Sequence, residues 1–176
     1  MQQDPGTAAA ARNDRRQALA WLGAAAMALA TLLAPGPASA KDLPDGGFTT
    51  ADVVAWLQAS GDQAQLVPAH DGIDTHVQAL VDGREFGVYM FDCKDDRCGS
   101  IEFSAGWPTH GTFDTSRMNK WNRENRWARG YFDTTNDPWV EMDVDLTPGG
   151  TYELLDDELG TWMTALKRFT DLYGLK

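Results

Sequence analysis

Residues 91–131 read FDCKDDRCGSIEFSAGWPTHGTFDTSRMNKWNRENRWARGY, and a turn, a strand and a helix follow one another within them. Cys93 and Cys98 bracket Lys94-Asp95-Asp96-Arg97, between Phe86–Cys93 and Gly99–Ala105, both of which read as short strands. After the Pro108/Gly111 loop, Thr115 or Ser116 opens a helix that runs to about Asn125, with Met118 and Trp121 turned inward at i, i+3 spacing. Strands and helices on one short chain, with hairpin turns between the strands, mean an α+β fold.

Working outward, the same punctuation repeats on the N-terminal side. Gln65–Ala69 and His76–Val81 are apolar-containing runs closed by Asp71-Gly72 and Asp82-Gly83, so a meander of antiparallel strands precedes the cysteine turn. Ahead of them, Thr49 or Thr50 caps a helix whose Val53, Trp56, Leu57 and Ser60 share a face, and Gly61 stops it. On the C-terminal side, Gly130–Thr134 and Trp139–Leu146 are two more strands joined by Asn136-Asp137-Pro138. In the second, Val140, Met142, Val144 and Leu146 alternate with Glu141, Asp143 and Asp145. Leu155, Leu159, Trp162, Met163, Leu166, Phe169 and Tyr173 then mark the stripe of a long last helix, ended by Gly174. The expected fold is an antiparallel sheet of about six strands with helices, in the order α-β-β-β-β-α-β-β-α.

Residues 1–40 have the form of a cleaved export signal. Arg12, Arg15 and Arg16 are a positive n-region, Ala18 to Ala34 an apolar run, and Ala38-Ser39-Ala40 a small-x-small site, so cleavage is expected before Lys41. The run is shorter than the roughly 20 apolar residues that span a bilayer, which argues against an uncleaved anchor and for no stable membrane span after cleavage. Arg15-Arg16 also fits a twin-arginine signal. The destination is periplasmic or secreted. Residues 41–48, a Pro/Gly/Asp segment without periodicity, read as a flexible tether, and 49–176 as the folded domain.

The formal charge is −11, and losing the arginine-bearing leader makes the chain more acidic still. Such a field repels phosphate backbones, so nucleic acid is not an expected partner and a cationic stretch of a protein is. In an oxidising compartment Cys93 and Cys98 read as a disulfide across the hairpin. A free thiol pair or redox switch, and half of a zinc site, are the rival readings; the chain offers no second Cys pair for the latter.

Together FDCKDDRCGSIEF, MNKWNRENRWARGYF and EMDVDL followed by Gly149-Gly150, in that order and at similar spacing, resemble the YbjN-domain family over nearly all of the chain after the leader. The resemblance implies a fold like that of the type III secretion chaperones and a domain, sensory or regulatory in kind, that binds protein and often pairs with itself. It brings no catalytic residues to carry over, and the residues of the chain lead to no expectation of a metal or a cofactor. Family members are expected mostly in the cytosol, and the leader sets this chain apart from them.

The candidate binding residues form two sets. Glu141, Asp143 and Asp145 project from one strand face about 7 Å apart, near the spacing of paired-carboxylate glycosidases and suited to calcium; a solvated face with arginine partners such as Arg117, Arg123 or Arg129 is the structural alternative. Asn119, Asn122 and Arg126 stand at i, i+3 and i+7 on the second helix, where they could grip a ligand or satisfy backbone groups of a neighbouring strand. Trp107, Trp121, Trp127, Trp139 and Tyr131 could make a sugar or peptide platform, though a domain of this size needs most of them in its core. His70, Asp71, Asp74 and His76 lack a fixed metal-ligand spacing, and no serine sits on a Gly-x-Ser-x-Gly elbow. Two functions follow: a non-enzymatic exported domain that binds a polypeptide or a second copy of itself, or a small carboxylate- or metal-dependent hydrolase or ligand binder centred on the acidic strand.

Overall fold

The computed structural model describes residues 40–109, 111 and 113–175; the expected signal peptide, apart from Ala40, lies outside the described residues, as does His110. The element order is α1 (Thr50–Ala59), β1 (Gln63–Val67), β2 (His76–Val81), β3 (Arg84–Lys94), β4 (Arg97–Gly106), α2 (Thr115–Glu124), β5 (Arg129–Phe132), β6 (Pro138–Asp145) and α3 (Tyr152–Tyr173). This is the α+β order that the sequence pattern predicts, with element ends shifted by a few residues. The strands form one six-stranded antiparallel sheet, ordered β1-β2-β3-β4-β6-β5.

Local chemistry fixes the turns and helix ends. Asp82 and Gly83 join β2 to β3, and Asp95 and Asp96 join β3 to β4, all four at positive φ, as two-residue turns between right-twisted strands require. Directly behind the second turn, Cys93 and Cys98 are register partners and are joined as a disulfide. α1 begins with a capping box: Thr49 Oγ1 accepts from the Asp52 N–H at 3.1 Å, and the Thr49 N–H donates to Asp52 Oδ2 at 2.9 Å. α3 is capped by Thr151 and ends at Gly174, whose φ of 67° is left-handed.

All three helices lie on one face of the sheet. Val77, Ala79, Phe86, Val88, Ile101, Phe103, Val140 and Met142 point from the strands into a core completed by Val53, Trp56 and Leu57 of α1, Met118 and Trp121 of α2, and the α3 stripe. Trp162 is the centre of it, stacked on Phe103 at 5.8 Å and edge-on to Phe86 at 5.7 Å. Met163, assigned to the stripe from sequence, is only half-buried. No helix among the described residues is long and apolar enough to cross a membrane.

The expected tether over 41–48 is corrected by its contacts. The Leu43 N–H donates to Gly150 O, the Tyr152 N–H to Lys41 O, Phe48 exchanges two backbone hydrogen bonds with Cys98, and the Phe48 side chain is fully buried. Every one of those partners is distant in sequence, so the local pattern carried no sign of them.

α2 meets the edge strand β5 at Gly130. A Cβ there would stand 2.4 Å from the Met118 sulfur and 3.0 Å from both Phe169 and Trp121, so only glycine lets the helix come this close. The N–H and C=O of Gly130 are both taken by the Asn122 side chain, at 2.8 and 2.9 Å. Thus one amide closes part of an open sheet edge. Replacing Asn122 by Ala is expected to cost about 1–2 kcal/mol, read from urea unfolding, because two peptide groups lose their partner where the helix shields them from full hydration.

Candidate functional site

The sheet face opposite the helices carries the unusual chemistry. Because strand side chains alternate, its residues form rows across the strands: Tyr89, Glu102 and Asp143; then Gly87, Ser104, Glu141 and Arg129; then Gly106, Trp139 and Tyr131. No described helix lies on them, yet Glu102, Ser104, Glu141 and His76 are buried. Their neighbours bury them: large aromatic side chains lie along the sheet. His76 stacks on Tyr89 at 4.9 Å, and Tyr131 on Trp139 at 6.4 Å. Gly106 makes the second arrangement possible, since a Cβ there would sit 2.3 Å from the Trp139 ring. A cleft of about 520 Å³ opens beside these rings, lined in part by Leu80, Gly87, Tyr89, Ser104, Gly106 and Trp139.

Between the two aromatic pairs lies a charged network. Arg129 donates to Glu141 Oε2 from Nε at 3.1 Å and Nη2 at 2.8 Å, and the same Nη2 reaches Glu102 Oε2 at 3.2 Å. Tyr131 donates its hydroxyl to Glu141 Oε1 at 2.6 Å, and Ser104 does so at 3.5 Å. Glu141 therefore has most of its acceptor capacity satisfied. Glu102 does not gain enough from its share of one guanidinium: burial first, then the charges of Glu141 and Asp143, push its carboxyl up to about 7, against the downward pull of Arg129. Burial and the Glu141 hydrogen bond likewise push the Tyr131 hydroxyl up, and burial and Glu102 push up that of Tyr89. The face thus holds a carboxyl that changes charge near neutrality, flanked by aromatic rings.

The sequence-derived residues divide against this geometry. Glu141, Asp143 and Asp145 do share the outer face; Asp143 and Asp145 are exposed, whereas Glu141 is buried and held by Arg129, the arginine among the three candidates that reaches the row. Arg117 instead donates to Leu172 O and lies over the Tyr173 ring. Asn119, Asn122 and Arg126 do not make one gripping line. Asn122 binds Gly130, Asn119 is exposed on α2, and Arg126 lies beyond the helix, which ends at Glu124, with its guanidinium 4.8 Å from the Trp127 ring. The aromatic expectation also changes. Trp121 is in the core and Trp107 stacks on Phe169, but Trp139 and Tyr131 belong to the outer face and Trp127 is 64% exposed. Sequence reasoning missed Glu102 as a site residue, although Ser100, Glu102 and Ser104 alternate with Ile101, Phe103 and Ala105 as clearly as the acidic strand does. Among the described residues, no group of three or more His, Cys, Asp or Glu is placed to hold a metal ion. His70 and His76 each turn a ring nitrogen to a nearby backbone carbonyl.

The fold and the face define a class, an α+β domain whose sheet is covered by helices on one side and presents an acidic, aromatic surface on the other. The YbjN family model, described as "Putative bacterial sensory transduction regulator", matches residues 49–172, and the chain belongs to the YbjN family. A comparison with curated proteins gave no match. Membership supports a regulatory or protein-binding role, and YbjN is not a known enzyme family.

Proposed function

We propose that this chain is an exported YbjN domain that works in the cell envelope as a regulatory binding module, taking a positively charged stretch of a protein partner on the helix-free sheet face. One observation carries this reading: that face concentrates Glu102, Glu141 and Asp143 around a bound arginine, Arg129, with Asp145 further along β6 and Tyr89, Phe91, Tyr131 and Trp139 on the same face. Aromatic rings give apolar contact area at small entropic cost, and carboxylates between them select arginine or lysine over acidic side chains. Phe91 and Tyr131 are 47% and 37% exposed, so apolar contact surface is available. The export half of the reading is supported by the leader pattern and by a disulfide, which persists in oxidising compartments.

The test is a titration of the purified protein with short basic and acidic peptides matched in length, followed by tryptophan fluorescence at low and high salt. Basic peptides are expected to bind, with affinity falling as salt rises, and Asp143→Lys is expected to weaken them by about tenfold. Equal binding of acidic peptides, or none of either, would remove the proposal. A second occupant, another copy of the chain, would show as a concentration-dependent mass that basic peptides compete away.

A second reading, a carboxylate-dependent hydrolase or ligand binder on the same face, is favoured by the Glu102 carboxyl at about 7, which suits proton transfer at neutral pH. It requires a turnover that Glu102→Gln abolishes, and a substrate screen without such a turnover would leave the binding role standing.

A further inference from the structure

We infer that cleavage between Ala40 and Lys41 creates a new amino terminus that docks as an ammonium on Glu153, so that removal of the leader adds a bond to the domain. This rests on the export reading above. Ala40 and Lys41 are both exposed, and the bond between them follows the small-x-small triplet Ala38-Ser39-Ala40. Lys41 N is the atom that such a cut would free. That nitrogen already stands 3.1 Å from Glu153 Oε1 and 3.0 Å from Glu153 Oε2.

The surroundings hold the nitrogen in place from several sides. Lys41 O accepts from the Tyr152 N–H at 2.9 Å, Asp42 bridges to Thr151, and the Leu43 N–H donates to Gly150 O at 3.0 Å, a short antiparallel pairing against the start of α3. The Lys41 ammonium at Nζ lies 4.4 Å from the centre of the Tyr152 ring, which in turn packs on the buried Phe48. With the leader attached, Lys41 N is an amide with one hydrogen to share between two carboxylate oxygens. Hydrolysis by a peptidase of the export machinery breaks that amide; water supplies a hydroxyl to the Ala40 carbonyl carbon and a proton to Lys41 N, which takes another from solvent. The nitrogen then carries three hydrogens and a positive charge, enough for a separate bond to each oxygen. A cation beside a helix N-terminus is disfavoured by the helix dipole, but here Glu153 stands between them and Asp156, Asp157 and Glu158 follow on the same helix.

The experiment expresses the full chain with its leader, recovers the protein from the envelope, and determines its N-terminus by intact mass and terminal sequencing. A start at Lys41 is expected. The recovered protein and its Glu153→Gln variant are then labelled with a limiting amine reagent at neutral pH, with side-chain amines elsewhere as internal standard. The Lys41 α-amine should react about three- to tenfold more slowly in the wild type, because the ion pair keeps it protonated. Full-length protein bearing Met1 would overturn export and docking together. Cleavage at another bond would leave export standing and remove the docking, and so would cleavage at Lys41 with equal labelling of the two proteins.

Discussion

Replacing Trp162 by Ala is expected to lower the unfolding free energy by about 3–5 kcal/mol, enough to leave a domain of ordinary stability close to its folding threshold. The ring is fully buried and stands where α3 crosses β3 and β4, in contact with Phe86 and Phe103. Its removal costs the transfer free energy of a large side chain and leaves a cavity that a six-stranded sheet cannot collapse to fill. No hydrogen bond is at stake, since Trp162 Nε1 is buried without an acceptor among the described residues. For that reason Trp162→Phe should recover most of the loss: it keeps a ring in the stack and removes an unpaired N–H. Urea midpoints for the two variants, at unchanged slope, check the pair of expectations. A cost below about 1 kcal/mol for the alanine variant would mean that the α3 contact is not the centre of the core.

Glu102→Gln should stabilise the protein at pH 8 and have little effect at pH 4. The Glu102 carboxyl titrates at about 7 in the folded protein, against an ordinary value of 4.5 that applies when the chain is unfolded. The fold therefore prefers the protonated form. Stability from this group is fully present below about 4.5, declines as the pH rises from there to about 7, and is level above. At 1.36 kcal/mol per unit, the whole decline is about 3 kcal/mol, an upper limit because Asp143, one of the two charges that raise the carboxyl, is exposed and screened by solvent. Glutamine cannot ionise, so the variant lacks the decline while still offering an oxygen to Arg129. The difference between wild-type and variant melting curves across pH 4–8 isolates this one group from other carboxyls. A flat difference would show that Glu102 is ionised at little cost and that Arg129 compensates it fully.

Charge on this face also links stability to the proposed binding role. An ionised Glu102 is held at a cost, and a lysine or arginine brought by a partner relieves that cost in the complex. Peptide binding and Glu102 deprotonation should therefore favour each other, so that basic peptides bind more tightly at pH 8 than at pH 6.

The sequence by itself determined the element order, the hairpin turns and the caps that start the first and last helices, because these depend on residues within a few positions of one another. Asp82-Gly83 and Asp95-Asp96 supply left-handed φ where they stand, Thr49 caps its own helix, and the alternation of Val140 to Asp145 assigns its faces without reference to any other strand. Glu141, Asp143 and Asp145 could be put on one face for the same reason. Only the tertiary structure decided what that face does. The Gly106 contact that lets Trp139 lie flat, the sharing of Arg129 between Glu102 and Glu141, and the pairing of Lys41 with Glu153 each join residues from separate segments. The burial that raises Glu102 arises from strands brought side by side, a property of packed neighbours that no window of sequence contains.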